Sequence, residues 1–582
     1  MASLTMRRRA PESLAGVLLC LVLVALIVLP MVMVLLHAFF PGLLHGDLRF
    51  TGPGHLLELF NRRLWRVSLS NSLTLASGTA VLGTLLGVGL AMMRHSTAFA
   101  GARALDTAAW VLLIMPSFVL AQGWVLFAMG DGIAARWLGI GAVGGWVFSP
   151  GGLILIMSLS KYPFAYLAVS AAMQWQVREY RHAAELCGAG PLRTLLTVRF
   201  PLLLPAILSG MVLVFIDTIG DFGLPAALAT TYRFPTLPYT IYAAINQSPI
   251  RFDLAGVLSI YLMTILMVAV ALYLWLLRRI RAGELTARAQ PGQAGTGRHD
   301  RWCSLLTTAF LALALGVPLG SSFLLSLVDQ GSAGPVWNNF TLAHYAEVLG
   351  AGSPLRESLA NSLWIAACAA AGSLAVSLLA TYLLCFSRFA LNGAIDAICT
   401  ASLAVPGVIL GVGYIFVWNH PWLDRLGLSL YGHPSILVLA AMAGAIPIAI
   451  RVLMGSMSQV PASFLHAAAL QGASLPRRVF TIVVPLTLAA LLTAVLTAFG
   501  TSVFDLATTA ILHPPGYPVL PVTIDRLFHQ GRYGLSTAAT LVAGSVTVTV
   551  ILLVKLAAQH FFRSLFARSG PARATPRETV HA

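Results

Sequence analysis

Few ionisable side chains stand inside the apolar stretches of this 582-residue sequence, so those that do are the first candidates for chemistry. Asp217 and Asp221 are four apart and share one face if their stretch is helical. Asp505 lies 284 residues after Asp221 and is its counterpart in a second copy of the pattern. Lys161 stands beside Pro163 in another apolar stretch. Charges at such depth are costly and usually face a cavity or a partner. They predict a translocation path favouring a cationic or polar substrate, with Lys161 either lining it or pairing with an acid. Gly223 and Pro225 follow closely, so an acid at a helix end is the competing reading.

Other chemistry is not indicated. The six cysteines show no CxxC or Cys/His spacing, so no metal site or disulfide frame is expected. Histidines are scattered or at the ends of apolar runs, which does not suit an enzyme embedded in the membrane, and no catalytic residue is assigned. Lys161 and Lys555 are the only lysines. Neither completes the GxxxxGK[ST] loop whose lysine reaches nucleotide phosphates. The chain itself is expected to bind no cofactor.

A second pattern concerns contact rather than chemistry. His182-Ala183-Ala184 is followed by Gly188 and Pro201, and His466-Ala467-Ala468 by Gly472 and Pro485, each position offset by 284. A small-residue pair, a glycine four on and a proline thirteen further describe a turn between two short helices. Two copies between long apolar runs predict two docking surfaces for a two-fold partner.

The elements that must position these residues follow from composition. The chain is 58% hydrophobic and 10% charged, against about 25% charged in soluble domains, with mean hydropathy +0.84. The net charge of +16 reflects arginines at the ends of apolar runs, as the positive-inside rule produces, and not a nucleic-acid-binding face. Twelve stretches reach the ~20 residues that span a bilayer: 14–39, 68–93, 107–129, 152–174, 202–229, 255–277, 303–328, 359–385, 396–419, 433–456, 486–511 and 535–559. The first is too long for a signal-peptide core. An inside start gives an inside end, with both termini cytoplasmic. Arg49, Arg62, Arg63 and Arg66 then fall on the outer side, where an interfacial amphipathic helix would hold them.

The two halves repeat. Asn71-Ser72-Leu73, Asp106 and Pro116 recur at Asn361-Ser362-Leu363, Asp396 and Pro406, at an offset of 290. Phe234-Pro235-Thr236-Leu237-Pro238 recurs as Tyr517-Pro518-Val519-Leu520-Pro521, a candidate for receiving an external partner or a rigid hairpin before the last span. The expected fold is an all-α integral membrane protein of about twelve helices in two parallel six-helix repeats. Its expected divisions are a first half at 1–277 (core 68–277, loop 179–201), a cytoplasmic linker at 278–302, a second half at 303–562 (core 359–559, loop 463–485) and a tail at 563–582.

The paired loops resemble the EAA loop of binding-protein-dependent ABC importer permeases, EAA-x3-G-x9-I-x-LP. Val198 and Ile482 stand at the isoleucine position, and the glycines and prolines match. His182 and His466 replace the acid, and Phe200 and Val484 the leucine. The resemblance covers nearly the whole chain outside the linker and tail. It implies that each loop docks on one of two copies of a cytoplasmic ATPase, where ATP and magnesium bind. A periplasmic binding protein would deliver substrate across the bacterial inner membrane. The fused layout, Asp-Phe-Gly after the first loop and Gly-Arg-Tyr-Gly before the last span look like the ferric iron importer permeases. Permeases for thiamine and 2-aminoethylphosphonate are similar, and those for polyamine and sulfate are close relatives. A twelve-helix secondary transporter is the distant alternative, and residues 94–106 lack its GxxxDRxGRR loop.

Overall fold

The computed structural model describes residues 2–43, 49–50, 54–175, 184, 186–232, 234–284, 301–334, 336–403 and 405–568. Among these, the regular structure is helical apart from one isolated bridge between Val328 and Phe340. Ten helices are long and apolar enough to cross a membrane, and two bent pairs bring the total to twelve. In the first half they are Ser13–Phe39, Arg63–Ser96, Ser117–Arg136, Pro150–Met173, Leu195–Gly220 and Phe252–Arg278. In the second they are Arg301–Ser326, Pro354–Phe386, the pair Asn392–Ser402 and Gly407–Trp418, Ser435–Met457, the pair Leu475–Leu486 and Leu488–Val503, and Tyr533–His560.

Four expected spans are not continuous. The third breaks between Ala102–Ile114 and Ser117–Ala128, and its counterpart, the ninth, bends by 116° between Ser402 and Gly407. Pro116 and Pro406 sit at the N-caps of the outgoing segments. Each lacks an amide proton and forces the residue before it into extended backbone, so the helix must end there. The fifth span breaks after Gly220 and restarts at Gly223, and the eleventh breaks after Val503 and restarts at Leu506. Asp221 Oδ1 accepts the Leu224 amide at 3.2 Å and Asp505 Oδ1 the Thr508 amide at 3.1 Å. Both acids therefore cap the restarted helices, satisfying donors that lipid could not. Asp221 and Asp505 thus stand at helix starts, while Asp217 lies within its helix.

The first span of each half packs on the other half. Span one lies against the outgoing segment of span nine. There, Tyr414 Oη reaches the Leu26 carbonyl at 3.1 Å, and the His37 ring stacks on Phe416 at 3.8 Å. Span seven lies against the outgoing segment of span three. The two crossings meet at equivalent glycines. A Cβ on Gly413 would sit 2.6 Å from the Pro30 carbonyl oxygen, and one on Gly123 would overlap the Pro318 carbonyl. With little hydrophobic drive between helices in lipid, this backbone-to-backbone approach is what small residues permit.

Every π-helical turn among the described residues precedes a proline by two residues: Val24–Val28 before Pro30, Leu195–Arg199 before Pro201, Ala312–Gly316 before Pro318 and Val479–Val483 before Pro485. A proline ring collides with the carbonyl four residues back, and the wider turn makes room for it. Between the halves, helix Phe252–Glu284 runs into the expected linker and the chain is helical again from Arg301; residues 285–300 lie outside the described residues. The last helix continues to Arg568, and 569–582 also lie outside them. The arginine-rich connection contains a short helix, Gly54–Asn61, tied to span six by the Tyr261 hydroxyl on the Leu56 carbonyl at 2.5 Å. It carries none of the four arginines: Arg49 precedes it, Arg62 caps the helix of span two, and Arg63 and Arg66 lie within that helix.

Candidate functional site

The four breaks converge on one cavity of about 430 Å³ between the halves. Its walls carry symmetry-related pairs: Pro116 and Pro406, Asp217 and Thr501, Asp221 and Asp505. Lys161 reaches the same space from span four. Its Nζ lies 2.5 Å from Asp217 Oδ2 and 2.7 Å from Asp221 Oδ2, so it pairs with both acids while lining the cavity. Ser117, just past Pro116, donates to Asp221 Oδ1 at 2.8 Å. The lysine and Asp221 side chains are 12% and 4% exposed, whereas Asp217 is 37% exposed and open to the cavity. Three carboxylates and one ammonium give the lining a formal charge of −2. Among the described residues, no group of three or more His, Cys, Asp or Glu could hold a metal ion.

Beyond the cavity, Phe222 meets Tyr242 with ring centroids 5.1 Å apart. Tyr242 belongs to helix Leu237–Asn246, whose counterpart is Leu520–His529. On the latter, burial raises the pKa of the Asp525 carboxyl above the usual range, while His529, 3.5 Å away, opposes the shift. The repeated Asn-Ser pairs explain how these two helices are held. Asn71 and Asn361 donate to the carbonyls of Pro235 and Pro518 at 3.0 and 2.9 Å. Ser72 and Ser362 accept the Leu237 and Leu520 amides at 2.7 and 2.9 Å. These amides are orphan donors at the helix starts. The combined variant Ser72→Ala and Ser362→Ala strands both, at about 1–3 kcal/mol each. Its thermal unfolding midpoint in detergent should fall by several degrees, with oligomeric state unchanged.

The repeated loops follow span four of each half. His182 and Ala183 lie outside the described residues. In the second copy, helix Ala462–Leu470 carries His466, Ala467 and Ala468. The spacing from alanine to glycine is that of a Schellman cap. Gly472 takes φ 84°, its amide donates to Ala469 at 3.1 Å, and the Ala473 amide donates to Ala468 at 3.0 Å. The first copy matches: Gly188 takes φ 77° and the Ala189 amide donates to Ala184 at 3.0 Å. Pro201 and Pro485 are the second residues of the helical segments after each π turn. Sequence reasoning passed over Leu186 and Leu470, which are 90% and 83% exposed at equivalent places. Their 284-residue offset was the available signal.

Two six-helix repeats, exchanged first spans, an inter-half cavity and paired capped loops define a fused, two-fold-symmetric membrane permease. The chain belongs to the family described as binding-protein-dependent transport system inner membrane component, which matches residues 83–282 and 372–566. It is 24% identical to the ferric transport system permease protein FbpB of Actinobacillus pleuropneumoniae, over 93% of this chain and 77% of that protein. A putative FbpB 1 of Haemophilus influenzae is also 24% identical, over 83% and 75%. The molybdenum transport system permease protein ModB of Escherichia coli is 30% identical over 36% of this chain and 93% of its own.

Proposed function

We propose that this multi-pass permease imports ferric iron, handed over by a periplasmic binding protein, across the bacterial inner membrane. Both termini are placed in the cytoplasm. Two copies of a cytoplasmic ATPase dock on the loops at 179–201 and 463–485 and carry ATP and magnesium. The exposed leucines beside each glycine supply apolar docking area in both copies. ATPase closure would draw the loops together and switch the cavity from inward-open to outward-open as a rigid-body rearrangement.

The observation that carries the substrate reading is the cavity charge. With three carboxylates and one ammonium in the lining, each unit-charge pair at ~4 Å is worth about 4 kcal/mol at an effective dielectric near 20. A cation gains and a dianion such as sulfate is repelled. The names of the FbpB relatives point to iron among the cations, ahead of thiamine, polyamine or the zwitterionic 2-aminoethylphosphonate. The test is uptake by proteoliposomes containing the permease, its ATPase and its binding protein. Labelled ferric ion should enter with ATP, and sulfate and molybdate should not compete. Uptake of either oxyanion without ferric uptake would overturn the reading.

A further inference from the structure

We propose that Lys161 is a tethered counter-ion that a cationic cargo displaces from Asp217 and Asp221 and that then expels the cargo, making Lys161 a determinant of both cation selectivity and release. This rests on the cavity being the translocation path.

The comparison between halves isolates the device. Both halves break span five or eleven at the same place, and both use an aspartate to cap the restarted helix, Asp221 or Asp505. The second half needs nothing more: Ala445 stands where Lys161 would be, Thr501 where Asp217 would be, and Gly407 where Ser117 would be. The fold of the break is therefore complete without the lysine and without Asp217. Two charges that the architecture does not require, at a depth where charge is costly, are candidates for work on a ligand. Their placement agrees. Asp217 is more open to the cavity than Asp221, and the ammonium reaches both from the adjacent span four.

The consequence follows from charge and tether. An incoming cation competes with the ammonium for two carboxylates, and the flexible four-carbon stem lets the ammonium swing aside without a backbone change. The displaced ammonium stays within reach. Once the cavity opens to the far side it returns to its carboxylates and repels the cargo. A diffusible counter-ion would be lost at this step. Anions gain nothing from the exchange, because the ammonium is already neutralised by its own pair.

The experiment measures ATP-driven uptake in the reconstituted full complex against the concentration of iron-loaded binding protein, with thiamine and spermidine as parallel cations. Lys161→Met raises the cavity charge to −3, and one added unit charge a few ångströms away is worth more than about a tenfold factor at protein dielectric. Maximal rate and KM should fall together by about tenfold, the signature of cargo held too tightly. Labelled iron should co-elute with the detergent-solubilised variant. Asp217→Asn should raise KM, and Lys161→Arg should stay near wild type. The double variant Lys161→Met and Asp217→Asn restores the charge of −2 and copies the neutral arrangement of the second half, so it should recover most of the rate. If Lys161→Met lowers the rate with KM unchanged, or the double variant falls with the single one, the pair is structural and the proposal fails. If wild type carries none of the three cations, the reading of the cavity has failed and the proposal with it.

Discussion

Replacing Gly123 and Gly413 together by leucine will abolish the assembled permease: the variant will elute aggregated or be degraded before extraction. At both sites the new side chain must enter the carbonyl of a proline on the first span of the opposite half. Overpacking in a core commonly costs about 1–3 kcal/mol. Here the obstacle is backbone on a helix that cannot rotate away, and two such crossings fail at once. Leucine at Gly89 and Gly444 is the control. These are also glycines within long helices, nothing lies within 4 Å of a Cβ there, and the double control should remain monodisperse. Size-exclusion profiles of fluorescently tagged variants decide the matter. A monodisperse Gly123→Leu and Gly413→Leu protein would remove the exchanged packing as the structural tie between halves.

Valine at both Gly188 and Gly472 will leave the bundle intact and weaken the proposed docking of the ATPase. A Cβ on either glycine would meet nothing within 4 Å beyond its chain neighbours, so the cost is conformational. A residue with a Cβ in the left-handed region loses about 1–2 kcal/mol, and a β-branched one fares worse. Relief requires the Schellman turn to open, which reorients the exposed leucine and the following helix together. Co-purifying ATPase and ATP-driven uptake should both fall by at least about tenfold, the factor that 1.4 kcal/mol represents. Asparagine, which tolerates left-handed backbone, should preserve most of both at the same positions. Equal loss with valine and asparagine would instead assign the glycines a contact role.

These glycines also show how far the sequence could be read. The Ala-Ala-x3-Gly spacing was visible as a turn because a Schellman cap is local: three or four residues fix it, and their types suffice. The repeated Asn-Ser pairs and the Pro-x-x-Pro segments were equally visible, yet their union was not. Asn71 and Pro235 are 164 residues apart, and no local rule pairs them. Span number survived because hydropathy reports burial in lipid. Continuity did not, since the segments on both sides of Pro116 or Asp221 are apolar whether the helix runs on or breaks. The bond between Lys161 and its two acids was one of two open readings, and geometry resolved it into both at once: pairing and lining. The exchange of first spans left no trace in hydropathy, which names no partner. The recurrence of Gly123 at Gly413, 290 residues on, was the one sign of it.

That exchange sets a timetable for biosynthesis. Pro30 leaves the ribosome 383 residues before Gly413, the residue it packs against. At ~5–20 residues per second, span one waits about 20 to 75 s in the membrane for its seat to exist. Span seven, by contrast, finds its groove at Gly123 already made. The chain thus closes like a belt threaded from the far end: its earliest helix is among the last to be locked. Throughout that interval the His37 ring has no Phe416 to cover it. Until span nine is made, span one has span six of its own half to pack against.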